Sequence, residues 1–194
     1  MKINKPLPRR KSIRIKGYDY SQANAYYITV CTENRECVLG NVQGPSMQLN
    51  TYGEIVRNEL VNTMKVRDNV EITEFVIMPN HFHAVVFISD SLMQNIKTVL
   101  PGRIEHYVPE EARAALEPGS IGAIVGQIKS ISTKQIRKAG LPCFKWQRNY
   151  YEHIVRDEED LLGIREYIIN NPGKWVEDEY NATGGSATGR PLRF

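Results

Sequence analysis

Residues 75–88 read FVIMPNHFHAVVFI, and the rest of the chain is organised around this stretch. β-Branched and aromatic residues on either side of Met78-Pro79-Asn80 predict two strands joined by a tight turn. Successive side chains of a strand point to opposite faces, so His81 and His83 should share one face while Phe82 packs on the other. Two neighbouring imidazoles supply half of a metal site. An isolated His-x-His pair is far more often structural or accidental, so a third ligand is needed.

The composition indicates one globular domain. The chain has 194 residues, 41% of them hydrophobic, which is sufficient for a core. No run of residues has the length and apolarity of a membrane span, and no apolar signal segment follows the basic N-terminus, so a cytoplasmic protein without a membrane partner is expected. The three cysteines are odd in number and lack a Cys-x-x-Cys spacing, which predicts reduced, structural thiols.

Positive charge is concentrated at the N-terminus. Residues 2–16 contain seven basic residues and no acidic one, which leaves 18 of the 25 basic residues against 22 acidic ones in the remainder. The remainder therefore carries about −4. Pro6 and Pro8 disfavour a helix, so residues 1–20 are predicted to form a flexible basic arm. A phosphate-binding arm and a solubilising tail fit this composition equally well. The candidate phosphate-binding residues of the arm are Arg9, Arg10, Lys11, Arg14 and Lys16.

Hydrophobic periodicity predicts the other elements. Strands are expected at 25–32, 37–39, 46–49, 70–78, 81–88 and 145–155, and helices between 50 and 69, at 121–139 and at 157–170. Residues 89–119 are interpreted as an irregular, charged insertion that contains a short candidate helix at 110–116. Both faces of the central strands are apolar, so both should be covered at least in part. The element order predicts an α+β ferredoxin-like sandwich, with helices packed on a central antiparallel sheet that carries the His-x-His motif.

The helix predicted at 157–170 carries a line of residues spaced four apart. Side chains at this spacing share a helix face, so the phenol of Tyr167 and the carboxamide of Asn171 can reach one site. Gly163 continues the line toward the N-terminus. Glycine costs about 1 kcal/mol relative to alanine within a helix, so it indicates either a close approach at this point or a tolerated imperfection.

Four segments in one consistent order resemble the HUH single-tyrosine transposases, and more narrowly the branch associated with repetitive extragenic palindromes (REP). The segments are VIMPNHFH (76–83), GQIKS (126–130), WQRNYYEH (146–153) and REYIINNPGKW (165–175). The match spans roughly residues 12–175, which makes it more specific than a single motif. It places the HUH domain at 21–176, with the insertion at 89–119, and leaves 177–194 as a flexible tail.

The resemblance implies a site and an activity. It assigns His81 and His83 as metal ligands, Asn171 as the residue that completes the metal site and Tyr167 as the nucleophile, with Mg²⁺ or Mn²⁺ as cofactor. Related proteins cut single-stranded hairpin DNA, form a 5′-phosphotyrosine link and free a 3′-hydroxyl. A nucleoid-associated enzyme acting on palindromic single strands is therefore expected. Relatives act as homodimers or as monomers, and the sequence favours neither.

Several assignments have rivals within the chain. Tyr150 and Tyr151 form an adjacent pair that competes with Tyr167 as the nucleophile. Asn171 is also an ordinary residue at which a helix ends, and a hydrogen-bonded structural role is favoured for His153. Further phosphate contacts are predicted for Lys129, Lys134 and Arg148. Three aromatic residues can stack on an unpaired base: Tyr26, Tyr150 and Trp146. Aromatic residues in strands, however, more often belong to the core.

Three classes of function follow from these residues. The first is a DNA-nicking and strand-transferring enzyme with a tyrosine nucleophile. The second is a non-catalytic DNA-binding protein or regulator that keeps the fold. The third is a metal-dependent hydrolase in which water attacks and no covalent protein–DNA adduct forms.

The predicted arm is tested by the salt dependence of binding to single-stranded DNA. Deleting residues 2–16 should flatten the slope of log affinity against log salt concentration by roughly 0.7 for each phosphate that the arm neutralises, because fewer counterions are released on binding. The slope is measured by fluorescence anisotropy over a series of salt concentrations. An unchanged slope would show that the arm does not bind phosphate.

Overall fold

The computed structural model describes residues 18–89 and 119–181 of the chain. The predicted basic arm lies outside the described residues except for its last three positions. The five arm cations expected to contact phosphate also lie outside them: Arg9, Arg10, Lys11, Arg14 and Lys16. The same holds for most of the predicted insertion at 89–119 and for residues 182–194 of the predicted tail.

The described residues form six strands and three α-helices. The strands are β1 (Asn24–Cys31), β2 (Gly40–Gln43), β3 (Ser46–Leu49), β4 (Val70–Met78), β5 (His81–Ile88) and β6 (Tyr151–Ile154). The α-helices are α1 (Thr51–Val66), α2 (Ile121–Lys138) and α3 (Glu158–Asn170), and two short 3₁₀ helices cover Glu33–Arg35 and Pro172–Glu177. The hairpin of β4 and β5 has the predicted bounds.

Strands β4, β5, β1 and β6 form, in that order, a four-stranded sheet in which all neighbours are antiparallel. Together with α1 between β1 and β4 and α2 between β5 and β6, this is the predicted ferredoxin-like arrangement. Strand β5 lies in the interior of the sheet, where His81 is opposite Cys31 and His83 is opposite Thr29. Strands β2 and β3 pair in a separate hairpin.

Helices cover both faces of the sheet, as predicted. One core cluster joins α1 and α2 to the face that includes Phe82, whose ring meets Trp146 edge-on at 5.7 Å between centroids. A second cluster joins α3 to the other face through Leu161, Ile164 and Ile168. The histidines of β5 belong to this second face because they alternate with Phe82. The apolar pattern of α3 also predicts that Leu162 and Ile169 are buried, but both side chains are exposed.

The sequence predicts an N-cap at Asn50 or Thr51 for α1 and at Ser120 for α2, and it predicts that α3 opens at Asp157. The structure has Asn50, Ser120 and Asp157 as the N-caps. The side chain of Asn50 accepts hydrogen bonds from Tyr52 N and Gly53 N, that of Ser120 accepts from Ala123 N, and that of Asp157 accepts from Asp160 N. Each bond satisfies a backbone donor that has no partner within its own helix. The caps therefore fix where each helix starts relative to the sheet.

The prediction of one strand over 145–155 is wrong for its first half. Only Tyr151–Ile154 pair with β1. Upstream of this strand, Trp146 makes an isolated bridge to Thr32. Side chains hold this connection instead: the indole of Trp146 donates to Ser132 Oγ, and Lys129 Nζ donates to the carbonyls of Gln147 and Arg148. Backbone groups held by side chains are not available to a strand ladder.

The predicted strand at 37–39 is displaced to Gly40–Gln43. Leu39 N donates to Pro79 O, outside any strand, before the chain turns at Gly40. Gly40 has φ +145°, and a Cβ there would lie 2.2 Å from Gln48 O, so only glycine fits this start of the hairpin.

Among the described residues, no helix has the length and apolarity needed to cross a membrane.

The cap at Asn50 generates a stability prediction. Asn50→Ala should lower the free energy of unfolding by about 1 kcal/mol, because two amide donors of α1 lose their acceptor. Asn58→Ala, at an exposed position within the same helix, is the matched control and should leave stability unchanged or raise it slightly, since alanine is the better helix former. Chemical denaturation measures both. Equal effects would contradict the role of the cap.

Candidate functional site

The site is built around the two histidines of β5. Both side chains are buried, and their Nε2 atoms lie 3.0 Å apart. The spacing follows from the strand, because residues two apart project side by side from one face. Both imidazoles present the same ring nitrogen to a common point.

The tautomer of His81 is fixed by Asn80. The Asn80 amide nitrogen donates to Tyr180 O at 2.7 Å and to Arg35 O at 3.0 Å, so its Oδ1 can only accept. His81 Nδ1 lies 2.8 Å from this oxygen and must therefore carry the proton. His81 Nε2 is left with its lone pair directed into the site.

His83 is held by two hydroxyl groups on β1. Its Nδ1 lies 2.8 Å from both Tyr27 Oη and Thr29 Oγ1. A hydroxyl can donate or accept, so this pair supports a proton on either nitrogen of the ring. When His83 Nδ1 donates to one of them, Nε2 is free to bind a metal ion. Metal-binding histidines are commonly oriented in this way, by a hydrogen bond from the ring nitrogen that does not bind the ion.

Burial keeps both imidazoles neutral. It lowers the pKa of His83 to about 3 and lowers the pKa of His81 well below its ordinary value, with smaller contributions at His81 from His83 and Arg35. Removal from water disfavours the charged ring in both cases. Neutral imidazoles are the form that binds a metal.

Helix α3 brings Tyr167 to the histidines. The Tyr167 oxygen lies 3.5 Å from His83 Nε2, and the two ring centroids are 5.2 Å apart. Burial raises the pKa of Tyr167, and the nearby Asp178 and Glu179 raise it further, whereas a hydrogen bond with Asn171 lowers it. The phenol is therefore protonated at neutral pH unless positive charge is added beside it.

Asn171 is buried and is the C-cap of α3. It hydrogen-bonds to Tyr167 and to Asp178, in each case lowering the pKa of its partner. A donor has this effect, so the Asn171 amide nitrogen serves both contacts. Its Oδ1 is buried and has no hydrogen-bond partner among the described residues. Such an orphaned acceptor is costly unless a cation or a substrate donor satisfies it.

The sequence did not point to Asp178, which the structure adds to the site. Asp178 Oδ2 lies 4.0 Å from His81 Nε2, and the ligand atoms of His81, His83 and Asp178 lie within 4.8 Å of one another. The predicted tail begins one residue earlier, and nothing in the local sequence sets Asp178 apart from its acidic neighbours Glu177 and Glu179. Tyr180 also contacts the site, with its ring centroid 4.6 Å from that of His81.

The predicted DNA-contacting residues of the body do not gather at the site. Lys134 and Arg148 are exposed, and Lys134 lies on α2, which covers the face opposite the histidines. Lys129 is partly buried and donates to two backbone carbonyls. Burial lowers its pKa. Lys129 thus supports the connection before β6. Phosphate contacts by Lys129, Lys134 and Arg148 stay predictions.

The rivals of Tyr167 occupy other positions. Tyr151 is partly buried, and its ring meets Tyr27 edge-on at 6.2 Å. His153 Nε2 lies 2.7 Å from Asp160 Oδ2, which agrees with the favoured hydrogen-bonded role. Tyr26 is fully buried in the core and is not available to stack on a base. At Gly163 a Cβ would meet nothing within 4 Å, so no other part of the described chain requires this glycine.

Comparisons with known proteins bear on the family and the fold of the chain. No family model matches the chain. An uncharacterized protein of Haemophilus influenzae is 39% identical over 178 residues, covering 92% of this chain and 96% of its own. A REP-associated tyrosine transposase bound to a REP hairpin superposes with a TM-score of 0.52 at 19% identity, over 87% of this chain and 74% of its own.

The chain belongs to the family of the Haemophilus influenzae protein, and its fold is that of the REP-associated tyrosine transposase. The resemblance inferred from the four segments is thus confirmed for the fold. A proposed transposase from Deinococcus radiodurans R1 is more distant, with a TM-score of 0.44 at 16% identity over 82% of this chain and 97% of its own.

The donor set fits a divalent metal ion. Two ligands of one ion, each about 2.1 Å from it, can be at most about 4.2 Å apart. The two Nε2 atoms, 3.0 Å apart, would be close enough to bind one ion. Two neutral imidazoles, a carboxylate and an unpartnered carboxamide oxygen suit an ion such as Mg²⁺, Mn²⁺ or another divalent metal.

The two hydroxyls beside His83 generate a prediction. Tyr27→Phe or Thr29→Val alone should lower the free energy of unfolding by about 1 kcal/mol, because the other hydroxyl still satisfies Nδ1. The double variant leaves this buried nitrogen without a partner and should cost more than the sum of the two. Urea denaturation in the presence of a chelator measures the four proteins of the cycle. Additive effects would show that the hydroxyls do not act on one atom.

Proposed function

We propose that this protein is a metal-dependent nickase and strand transferase of single-stranded DNA, with Tyr167 as its nucleophile. The observation that carries the proposal is the phenol oxygen 3.5 Å from a ring nitrogen that itself faces a second imidazole at 3.0 Å. The proposed nucleophile therefore lies beside two of the proposed metal ligands. The fold shared with a transposase supports the same conclusion.

The residues of the chain have distinct parts in this reaction. His81, His83 and Asn171 would hold the ion, with Asn171 contributing its orphaned oxygen. Asn171 also donates to the Tyr167 oxygen, which favours the phenolate. When bound, Mg²⁺ or Mn²⁺ polarises the scissile phosphate and offsets the negative charge that develops on its oxygens.

The proposed cleavage of the DNA strand needs no nucleotide cofactor. The Tyr167 oxygen forms a bond to phosphorus as the bond from phosphorus to the 3′-oxygen breaks. The phenol gives up one proton to solvent, and the departing 3′-oxygen takes one up. Because the phosphotyrosine retains a phosphodiester, the 3′-hydroxyl of another strand can reverse the step and join the DNA.

The proposed substrate is a single strand with a hairpin. The REP-associated transposase of the same fold is bound to a REP hairpin, and we transfer that partner to this chain as part of the proposal. The N-terminal arm would add phosphate contacts, and the protein would act in the cytoplasm on the nucleoid. A homodimer and a monomer are both compatible with the proposed function.

The nucleophile is tested on a pool of single-stranded hairpins with randomised loops and flanks. With Mn²⁺, the protein should form a covalent adduct that migrates with 3′-end-labelled DNA on a denaturing gel, since the 5′-phosphate stays on the protein. DNA labelled at the 5′ end should yield a free fragment whose 3′-hydroxyl a polymerase extends. Tyr167→Phe and a metal chelator should each abolish the adduct, whereas Tyr151→Phe, the matched control, should retain it.

The alternatives have their own outcomes in this assay. Cleavage without an adduct would identify a metal-dependent hydrolase. Binding without cleavage would identify a non-catalytic DNA-binding protein or regulator. An adduct that persists in Tyr167→Phe but disappears in Tyr151→Phe would move the nucleophile to β6.

A further inference from the structure

The segment after the last 3₁₀ helix is tied into the site by several contacts. The Arg35 guanidinium donates to Glu179 O at 2.7 Å, and its carbon lies 5.0 Å from the centre of the Tyr180 ring. The Asn80 amide donates to Tyr180 O at 2.7 Å. Two strand connections, the loop after β1 and the turn between β4 and β5, therefore hold residues 178–180 against the histidines.

The loop that supplies Arg35 has an uncommon backbone. Asn34 and Arg35 both have positive φ, +55° and +58°, a region that residues other than glycine seldom adopt. Such a conformation persists where the surrounding contacts determine it. Here it directs Arg35 toward the carbonyl of Glu179 and the ring of Tyr180. The loop is thus built to position the segment that carries Asp178.

The carboxylate of Asp178 is aimed at the histidines. Its Oδ1 accepts from Tyr180 N at 2.7 Å, and its other oxygen, Oδ2, faces His81 Nε2 at 4.0 Å. The side chain is only 3% exposed. His81 Nε2 carries a lone pair, because Asn80 fixes the proton on the other ring nitrogen. Two electron-rich atoms facing each other in a buried site are compatible when a cation lies between them.

We propose that Asp178 is a further ligand of the metal ion, so that the ion is held by two imidazoles and a carboxylate in addition to Asn171. The inference rests on the proposed metal-dependent function of this site. Two ligands of one ion, each about 2.1 Å from it, can be at most about 4.2 Å apart. The separation of 4.0 Å between Asp178 Oδ2 and His81 Nε2 lies within that span.

A carboxylate changes which ions the site prefers. Imidazoles alone favour ions such as Zn²⁺ and Cu²⁺, whereas Mg²⁺ and Mn²⁺ prefer oxygen ligands. Asp178 supplies a charged oxygen and offsets one of the two positive charges of the ion. Two imidazoles and one carboxylate also leave coordination positions for substrate oxygens. In this arrangement Asp178, which lies beyond the predicted end of the domain at residue 176, contributes to binding the ion.

The rival explanation is that residues 178–180 cover the site and exclude DNA. In that case Asp178 would occupy the place of the ion or of a phosphate, and its removal would expose the histidines. The two explanations predict opposite effects on metal binding. A measurement of metal affinity without DNA therefore separates them.

The experiment measures Mn²⁺ binding to the full chain by electron paramagnetic resonance of the free ion. Asp178→Asn should raise the Kd for Mn²⁺ by tenfold or more, since removing even a residue that only orients a metal ligand costs about 10–100-fold. Glu177→Gln removes the same charge at an exposed neighbouring position and should leave the Kd unchanged. His83→Ala, the positive control, should abolish binding.

Folding of the variant is checked by thermal unfolding with and without Mn²⁺. In Asp178→Asn the new carboxamide can still accept from Tyr180 N and can donate to His81 Nε2, so the metal-free protein should unfold at an unchanged or higher temperature. The rise in unfolding temperature on adding Mn²⁺ should be smaller than in the wild type, because a ligand that binds more weakly stabilises the folded state less.

The outcomes distinguish this inference from the proposed function. Wild-type affinity in Asp178→Asn, with binding abolished in His83→Ala, overturns the role of Asp178 alone. Tighter Mn²⁺ binding together with faster nicking in Asp178→Asn shows that the segment covers the site. A wild-type protein that binds no Mn²⁺ overturns both. Weaker binding in Asp178→Asn without any DNA adduct in the wild type supports the ligand and overturns the nickase.

Discussion

The alternation of side chains along β5 is the constraint on which the rest of the structure depends. Phe82 and the residues in step with it pack under α1 and α2, so the strand cannot rotate or slip by one residue without exposing the core. His81 and His83 are thereby fixed on the opposite face, with β4 and β1 paired on either side. The packing on one face of β5 therefore fixes the positions of the two histidines on the other face.

The outer nitrogens of the imidazoles connect the site to three distant parts of the chain. Asn80 orients His81 and at the same time binds the loop that contains Arg35 and the segment that contains Tyr180. Two hydroxyls of β1 orient His83. The result is a buried site toward which His81, Asp178 and Asn171 each present an acceptor atom. Acceptor atoms grouped in this way are electrostatically complementary to a cation.

Most of the fold was predictable because its signals are local. The β4–β5 hairpin, the three helix caps and the burial of both sheet faces follow from periodicity and capping chemistry within short windows. The strand predicted from residue 145 failed because side chains of α2, Lys129 and Ser132, hold that stretch. Leu162 and Ile169 were misassigned because an apolar residue in a helix need not face the core.

The sequence by itself determined the paired imidazoles, the phenol of Tyr167 and the amide of Asn171, because strand and helix periods place each pair on one face. Only the tertiary structure decided that these pairs meet, that Tyr27, Thr29 and Asn80 orient the histidines, and that Asp178 joins them. Those contacts link residues far apart in the chain, or lie in segments without a period of their own. No local pattern encodes a carboxylate that reaches its place through an arginine on a loop more than a hundred residues earlier.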